Sequence, residues 1–206
     1  MAVQLSDYLA TLRQLVHDSA DVLVPVSDKT AYINAGMQQR DFLTGGNRIR
    51  STVACSTVTD TYTYTQLGNA NIIDIIGINC LDGQFRFRLQ QFSLTRLNAF
   101  LRTSTLYKDR PSAYAWAGQS VLLNCIASSA TFSLETDCTV LSPALVNLGD
   151  TDPLPPPWTN PVPYYAAFRA KLNARRPDEA EGFKKMFAEK CALIPGMRVG
   201  MLTSIR

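Results

Sequence analysis

The sequence predicts an α+β fold: a helical bundle built from N- and C-terminal helix hairpins, with an inserted small antiparallel β-sandwich or barrel domain. Three observations predict it. Apolar residues recur at helical spacing over residues 5–44 and again over 161–194. The stretch between is rich in branched and aromatic residues, interrupted by polar or glycine breaks, as short strands are. A proline-crowded step, PLPPPWTNPVP at 153–163, marks where the chain returns from strands to helices. The implied domains are an N-terminal hairpin (1–46), a β domain (47–142), a proline-rich connector (143–160), a C-terminal hairpin (161–195) and an extended tail (196–206).

The first helix opens at Ser6-Asp7, a capping residue followed by a first-turn acid, and Leu5, Tyr8, Leu9, Leu12, Leu15 and Val16 form its core-facing stripe. His17 sits at its end, where a cation meets the negative pole of the helix dipole. Pro25 prevents continuation. Ser27 or Asp28 then caps a second helix, AYINAGMQQRDFLT, that Gly45-Gly46 closes. Its expected buried stripe is Tyr32, Ala35, Gln39, Phe42 and Leu43. Gly36 in mid-helix costs roughly 1 kcal/mol relative to alanine, which points to a neighbouring helix in close approach.

Strands are expected in RIRSTVACST, TYTYT and NIIDIIGINC, then across the Asp82-Gly83 turn in QFRFRLQ. There, alternation turns Phe85, Phe87 and Leu89 inward and Arg86 and Arg88 outward. A short helical break, SLTRLNAFLR, precedes RPSAYAWAG, SVLLNCIAS and TFSLETDCTV. The connector SPALVNLGDTDPLPPPW reads as a rigid extended strut, because successive prolines remove donors and favour polyproline geometry. Pro161 and Pro163 start the third major helix, with Tyr164, Tyr165, Phe168 and Leu172 as its stripe. Pro177, Asp178 and Glu179 start the fourth, with Phe183, Met186, Phe187, Cys191 and Ile194 buried and Pro195-Gly196 as its stop.

With 206 residues, 46% of them hydrophobic, the chain buries enough surface to fold without staples. Only 18% are charged, which suits a surface partly covered by partners. Cys55, Cys80, Cys125, Cys138 and Cys191 are scattered and share the chain with a single histidine, so free buried thiols are expected and neither metal nor cofactor. MAVQLSDYLATLRQ lacks the features of a signal peptide, and no apolar run approaches the roughly 20 residues of a membrane span. The net charge of +3 is uneven: residues from Asn160 onward carry nine cations against four acids, and residues 1–46 carry three against five.

The phrase AYINAGMQQRDFLT, the strand-rich middle, the DTDPLPPPW step and the hairpin PYYAAFRAKLNARRPDEAEGFKKMFAEKCAL together resemble the head-to-tail adaptors of short-tailed double-stranded DNA bacteriophages, the connector or tail-tubular-protein-A type. The resemblance covers nearly the whole chain and rests on architecture and short phrases. It implies a structural virion protein, made in the host cytoplasm, that forms a homo-oligomeric, dodecameric ring at the head-tail interface. In that family the ring docks on the portal protein and offers a platform to tail nozzle or tail fibre proteins. Double-stranded DNA passes through its channel. Mapped here, the portal-contact tail is Gly196 to Arg206, with Met197, Val199, Met201, Leu202 and Ile205 as apolar anchors beside Arg198 and Arg206.

Unlike, oppositely charged hairpins suit a heterologous contact that closes into a ring. A modest net charge suits a conduit that must not hold DNA. The alternative is a nucleic-acid-binding module using Arg86, Arg88 and the basic C-terminal helices. An enzyme is not expected: a hydrolase using Asp137 or Glu135 with His17 would lack any phosphate cradle, nucleophile elbow or zinc motif.

Overall fold

A computed structural model describes residues 2–101 and 108–194. The chain is mixed α+β, with five helices and ten strands among the described residues. In order they are α1 (Leu5–Val16), α2 (Val26–Thr44), β1 (Arg48–Ala54), β2 (Thr61–Thr63), β3 (Ile72–Asp82), β4 (Phe85–Arg88), β5 (Gln90–Gln91) and α3 (Leu94–Arg96). A π-helical turn (Leu97–Leu101) extends α3, and β6 (Lys108–Asp109), β7 (Ala113–Ala117), β8 (Ser120–Leu123), β9 (Ile126–Ala127), β10 (Ser133–Val140), α4 (Val162–Asn173) and α5 (Pro177–Ala192) complete the order. Two compact units emerge. One combines Met1–Asn47 with Leu141–Arg206, and the other is Arg48–Val140.

In the helical unit, α4 packs against α1, α2 and α5. Its buried face is Val162, Ala166, Ala167 and Ala170, so small side chains let neighbouring helices come close. The expected α4 stripe is therefore corrected: Tyr164, Tyr165 and Phe168 are half-buried and Leu172 is exposed, because the alanines occupy the crowded side. On α5, Ala180, Phe187, Cys191 and the following Ile194 are buried, Phe183 is half-buried and Met186 is exposed.

α1 buries Leu5, Tyr8, Leu9, Leu12 and Val16, with Leu15 half-buried. Its cap is one residue pair earlier than expected: the Gln4 side chain and Asp7 form a capping box, and the Gln4 amide donates to Asp7 Oδ2 at 2.9 Å. For α2 the expected stripe is rotated by about one residue. Lys29, Ile33, Gly36, Met37, Arg40, Asp41 and Leu43 are buried, whereas Phe42 faces solvent, because two buried cations and their acids fill the inner face. Pro25, not Ser27 or Asp28, is the N-cap residue.

The connector is no free-standing strut. Leu145 enters the helical core, and its amide and carbonyl each pair with the Asn34 side chain at 2.9 Å. Thr151 forms an antiparallel bridge with Gln4, and the Leu5 and Ser6 amides donate to the Asp150 and Leu148 carbonyls. These orphan donors of the first helical turn are thus satisfied by connector backbone, which ties 148–152 to the start of α1.

The β unit holds one sheet in the order β1-β10-β3-β4, a second in the order β2-β8-β7-β5, and the pair β6-β9. All are open, and none closes into a barrel. Pairing is antiparallel except for β5 with β7 and β6 with β9. Both four-stranded sheets contribute to one core, Ile75, Ile78, Cys80, Leu134 and Cys138 from the first, Tyr62, Tyr114, Val121 and Leu123 from the second. A register shift sets Asp137 opposite Gly77 but Cys138 opposite Ile75, so the inward phase of β3 changes from Ile75 to Ile78 and Cys80. On β4 the expected inward phase is only partly met. Leu89, just beyond its end, is buried and Phe87 half-buried, but Phe85 at the hairpin tip is 68% exposed.

Candidate functional site

The expected portal-contact residues Met197, Arg198, Val199, Met201, Leu202, Ile205 and Arg206 lie outside the described residues, as does the Pro195-Gly196 helix stop. Within the described residues, the features that set the surface are two ion-pair networks in the helical unit.

The first network centres on Arg40, which is 0% exposed. α2 places Arg40 and Asp41 side by side, and the guanidinium donates from Nε and Nη2 to Asp41 Oδ1 at 2.9 and 2.8 Å. Nη1 reaches Asp152 Oδ2 at 2.6 Å, and Nη2 reaches Ser142 Oγ at 3.1 Å. Tyr8 donates its hydroxyl to the same Asp152 oxygen at 2.7 Å, and the Ser142 amide donates to Asp41 Oδ2 at 2.7 Å. Asn47 completes the shell through Ser142 Oγ at 3.2 Å. Burial, then the adjacent Asp152 charge, pushes the Tyr8 hydroxyl far above its ordinary range. Burial raises Asp41 despite the pull of Arg40, and burial disfavours the Arg40 cation less than Asp41 and Asp152 favour it. With its donors and acceptors matched in this way, the cluster offers no nucleophile and no base. Its chemistry is to pin α1, α2 and the connector to one another.

The second network shapes the loop between α1 and α2. Lys29, fully buried, donates from Nζ to Asp18 Oδ2 at 2.8 Å, to the Asp18 carbonyl at 3.1 Å and to Asp21 Oδ1 at 2.6 Å. Asp18 accepts the Val22, Leu23 and Val24 amides, and Asp21 takes a forked pair from Arg13 at 2.9 and 2.7 Å. The loop is therefore a built object whose acids turn inward. Exposed along it are the apolar Val22 at 79% and Leu23 at 63%, together with His17 and Ser19.

The Lys29 hydrogen bond, with the three loop amides, holds the Asp18 carboxyl down at about 2, and Arg13 and then Lys29 hold Asp21 below the usual carboxylate range. Folded-state values below the unfolded value of about 3.9 give stability that is present above that value and lost as pH falls through the folded one. The helical unit is thus expected to weaken progressively from about pH 4 toward pH 2. In Lys29→Met, acid unfolding followed by circular dichroism is expected to begin at a higher pH than in the wild type.

The arginines of the nucleic-acid alternative are held within the chain. Arg86 pairs with Glu135. The Arg88 guanidinium donates to the Ile76 carbonyl at 2.9 Å, beside the register shift, and lies over Gly77, where a Cβ would meet Nη2 at 2.8 Å. Among the basic C-terminal residues, Lys171 and Arg176 both pair with Glu179, and Lys184 pairs with Glu181. Arg110 covers the Phe87 ring at 3.8 Å. His17 is exposed in a left-handed C-cap conformation, φ 57°, and belongs to the helical unit, whereas Glu135 and Asp137 belong to the β unit and pair with Arg86 and Arg48.

All five cysteines are free and buried. No group of histidine, cysteine and acidic side chains suited to a metal ion occurs among the described residues. No helix among them is long and apolar enough to cross a membrane. No family model matches the chain, and no curated protein matches it.

Sequence reasoning missed Lys29, Arg40, Asp152 and the Val22–Leu23 pair. One signal was available for two of them. Lys29 and Arg40 are separated by eleven residues, about three helical turns, so they share a face with Ile33, Gly36 and Met37.

Proposed function

We propose that the chain is a structural, non-enzymatic virion protein, a head-to-tail adaptor that forms a homo-oligomeric ring beneath the portal. The observation that carries this reading is the organisation of the chain: the described segments on either side of the β unit, 2–47 and 141–194, build one helical unit, and the β unit is inserted between them. This is the order of elements that the adaptor resemblance implies. On this reading the helical unit is a bundle of two hairpins forming the ring wall, and the β unit is a small sandwich directed at tail nozzle or tail fibre proteins. DNA passes through the channel without being held. The partner-rich role also suits a surface on which Arg86, Lys171 and Arg176 are paired with acids of the chain and Arg88 is held by a backbone carbonyl.

The portal-contact segment on this reading is 196–206, acting from the virion head-tail interface. Deleting it is expected to leave a folded chain with unchanged circular dichroism and thermal midpoint that no longer co-sediments with portal rings. Equal co-sedimentation by the shortened chain sinks the assignment. Submicromolar, salt-sensitive binding of the intact chain to free duplex would favour the nucleic-acid module instead.

A further inference from the structure

We propose that the strand edge formed by β4 and β5 is a docking site for an extended acidic segment of a partner protein, which joins it as an additional strand. β4 ends one four-stranded sheet and β5 ends the other, and only Leu89 separates them in sequence, so residues 85–91 form one continuous edge. Its inward backbone groups are accounted for. Phe85 and Phe87 stand opposite Asp82 and Cys80, and the Leu89, Gln90 and Phe92 amides donate to the Ile78, Ser112 and Tyr114 carbonyls at 2.9 Å each. Pairing alternates along a strand, so an inward Leu89 turns the amides and carbonyls of Arg86 and Arg88 outward, and Gln91 turns outward on β5 for the same reason. No strand among the described residues pairs on that side. Arg86, Arg88 and Gln91 are all exposed.

Such an edge takes an added strand through its free donors and acceptors, and side-chain clefts along it determine which strand fits. Two clefts of about 490 and 360 Å³ open here. Arg88, Gln90 and Phe92 line both, Arg110 lines the second, and no acid lines either. Of the arginines on this edge, Arg86 has an acid partner, Glu135. The others do not: Arg88 reaches the Ile76 carbonyl, Arg96 lies over the Phe92 ring at 4.4 Å and Arg110 over the Phe87 ring at 3.8 Å. These contacts fix the guanidinium groups without neutralising them. Asp82 and Asp109 flank the stretch in sequence, and no acid lies between them.

This chemistry selects the occupant. A second copy would set one arginine edge against another, and like charges repel. A nucleic acid would meet the guanidinium groups but has no peptide backbone to match the outward donors and acceptors. An acidic strand meets both. The inference stands on the edge itself and goes beyond the ring reading.

The probe is a fluorescent peptide of alternating valine and glutamate, about eight residues long, titrated into the full chain and followed by anisotropy. Saturable binding is expected, and Arg86→Glu with Arg88→Glu is expected to weaken it by at least about 10-fold. A loss of at least about 10-fold is also expected when the peptide is N-methylated at two adjacent central residues, which keeps its charge but removes a donor from each of its edges. That comparison uses the wild-type chain, so it decides even if the doubly substituted chain does not fold. On binding, amide hydrogen exchange is expected to slow at Arg86, Arg88 and Gln91. The proposal is overturned by absence of binding, by equal binding of the valine-lysine counterpart, by a folded variant that binds as the wild type does, by no loss on N-methylation, or by protection that falls elsewhere. Tighter binding of an oligothymidylate of equal charge overturns it in favour of single-stranded nucleic acid. Portal co-sedimentation is scored separately, so either proposal can fail without the other.

Discussion

Arg40→Met is expected to destabilise the helical unit by about 3–5 kcal/mol, the usual cost of removing one partner from a buried ion pair. The side chains are similar in length, so little volume is lost. What is lost is the cation between two buried carboxylates, Asp41 and Asp152, which Arg40 meets at 2.8 and 2.6 Å. Asp152 keeps the Tyr8 hydroxyl and the Leu154 amide, and Asp41 keeps the Ser142 amide, but neither has a compensating charge. The Asp41 carboxyl, which burial already raises against the pull of Arg40, is then pushed further up. Groups with raised folded-state values contribute stability that is present below the unfolded pKa and lost as pH rises. The deficit of the variant is therefore largest near neutral pH and shrinks toward about pH 4. Arg40→Lys restores only part of the loss, because one ammonium cannot span Asp41, Asp152 and Ser142 as the planar fork does. The chain has two units, so denaturation is expected to show the helical transition move while the β transition stays. A helical transition unchanged by Arg40→Met would mean that the pair is dispensable.

Much of the secondary structure was legible, because it rests on local rules. α1 follows its apolar period, Gly83 takes the positive φ of 58° that the Asp82-Gly83 turn requires, and Pro177 with two acids opens α5. The phases of α2 and α4 were not legible, for a physical reason in each case. Charged side chains score as surface, so Lys29 and Arg40 pointed the wrong way until their acids were located. One of those acids, Asp152, is more than a hundred residues from Arg40 in sequence. On α4 the large aromatics outweigh three alanines in any hydrophobic count, yet the alanines are what fit at a crowded axis. The connector was misread for a related reason. Its prolines describe local stiffness accurately, but Leu145, Asp150 and Asp152 determine where it lies, through partners on α1 and α2.

Gly36 is where the sequence expectation and the packing meet, and it supports a graded prediction. A Cβ at this position would stand 3.0 Å from the Val162 carbonyl oxygen and 3.3 Å from the Tyr165 Cβ, both on α4. The backbone oxygen cannot rotate away, so the helices must separate slightly to admit a methyl group. In Gly36→Ala that strain opposes a gain of about 1 kcal/mol in helix propensity, and the net change is expected to stay within about 1 kcal/mol. In Gly36→Leu the propensity gain is no larger, but three further carbons must enter the same gap. A loss of about 3 kcal/mol is expected, at the upper end for overpacking, because α4 also packs against α1 and α5 and cannot move without loosening those contacts. Gly77 provides the contrast: what a Cβ meets there is the Arg88 guanidinium, the movable end of a long side chain, so overlap alone is relieved cheaply. Denaturant midpoints of Gly36→Ala, Gly36→Leu and Gly77→Ala test the comparison. If leucine at 36 is tolerated as well as alanine, α2 and α4 are not in close contact, and the alanine face of α4 needs another explanation.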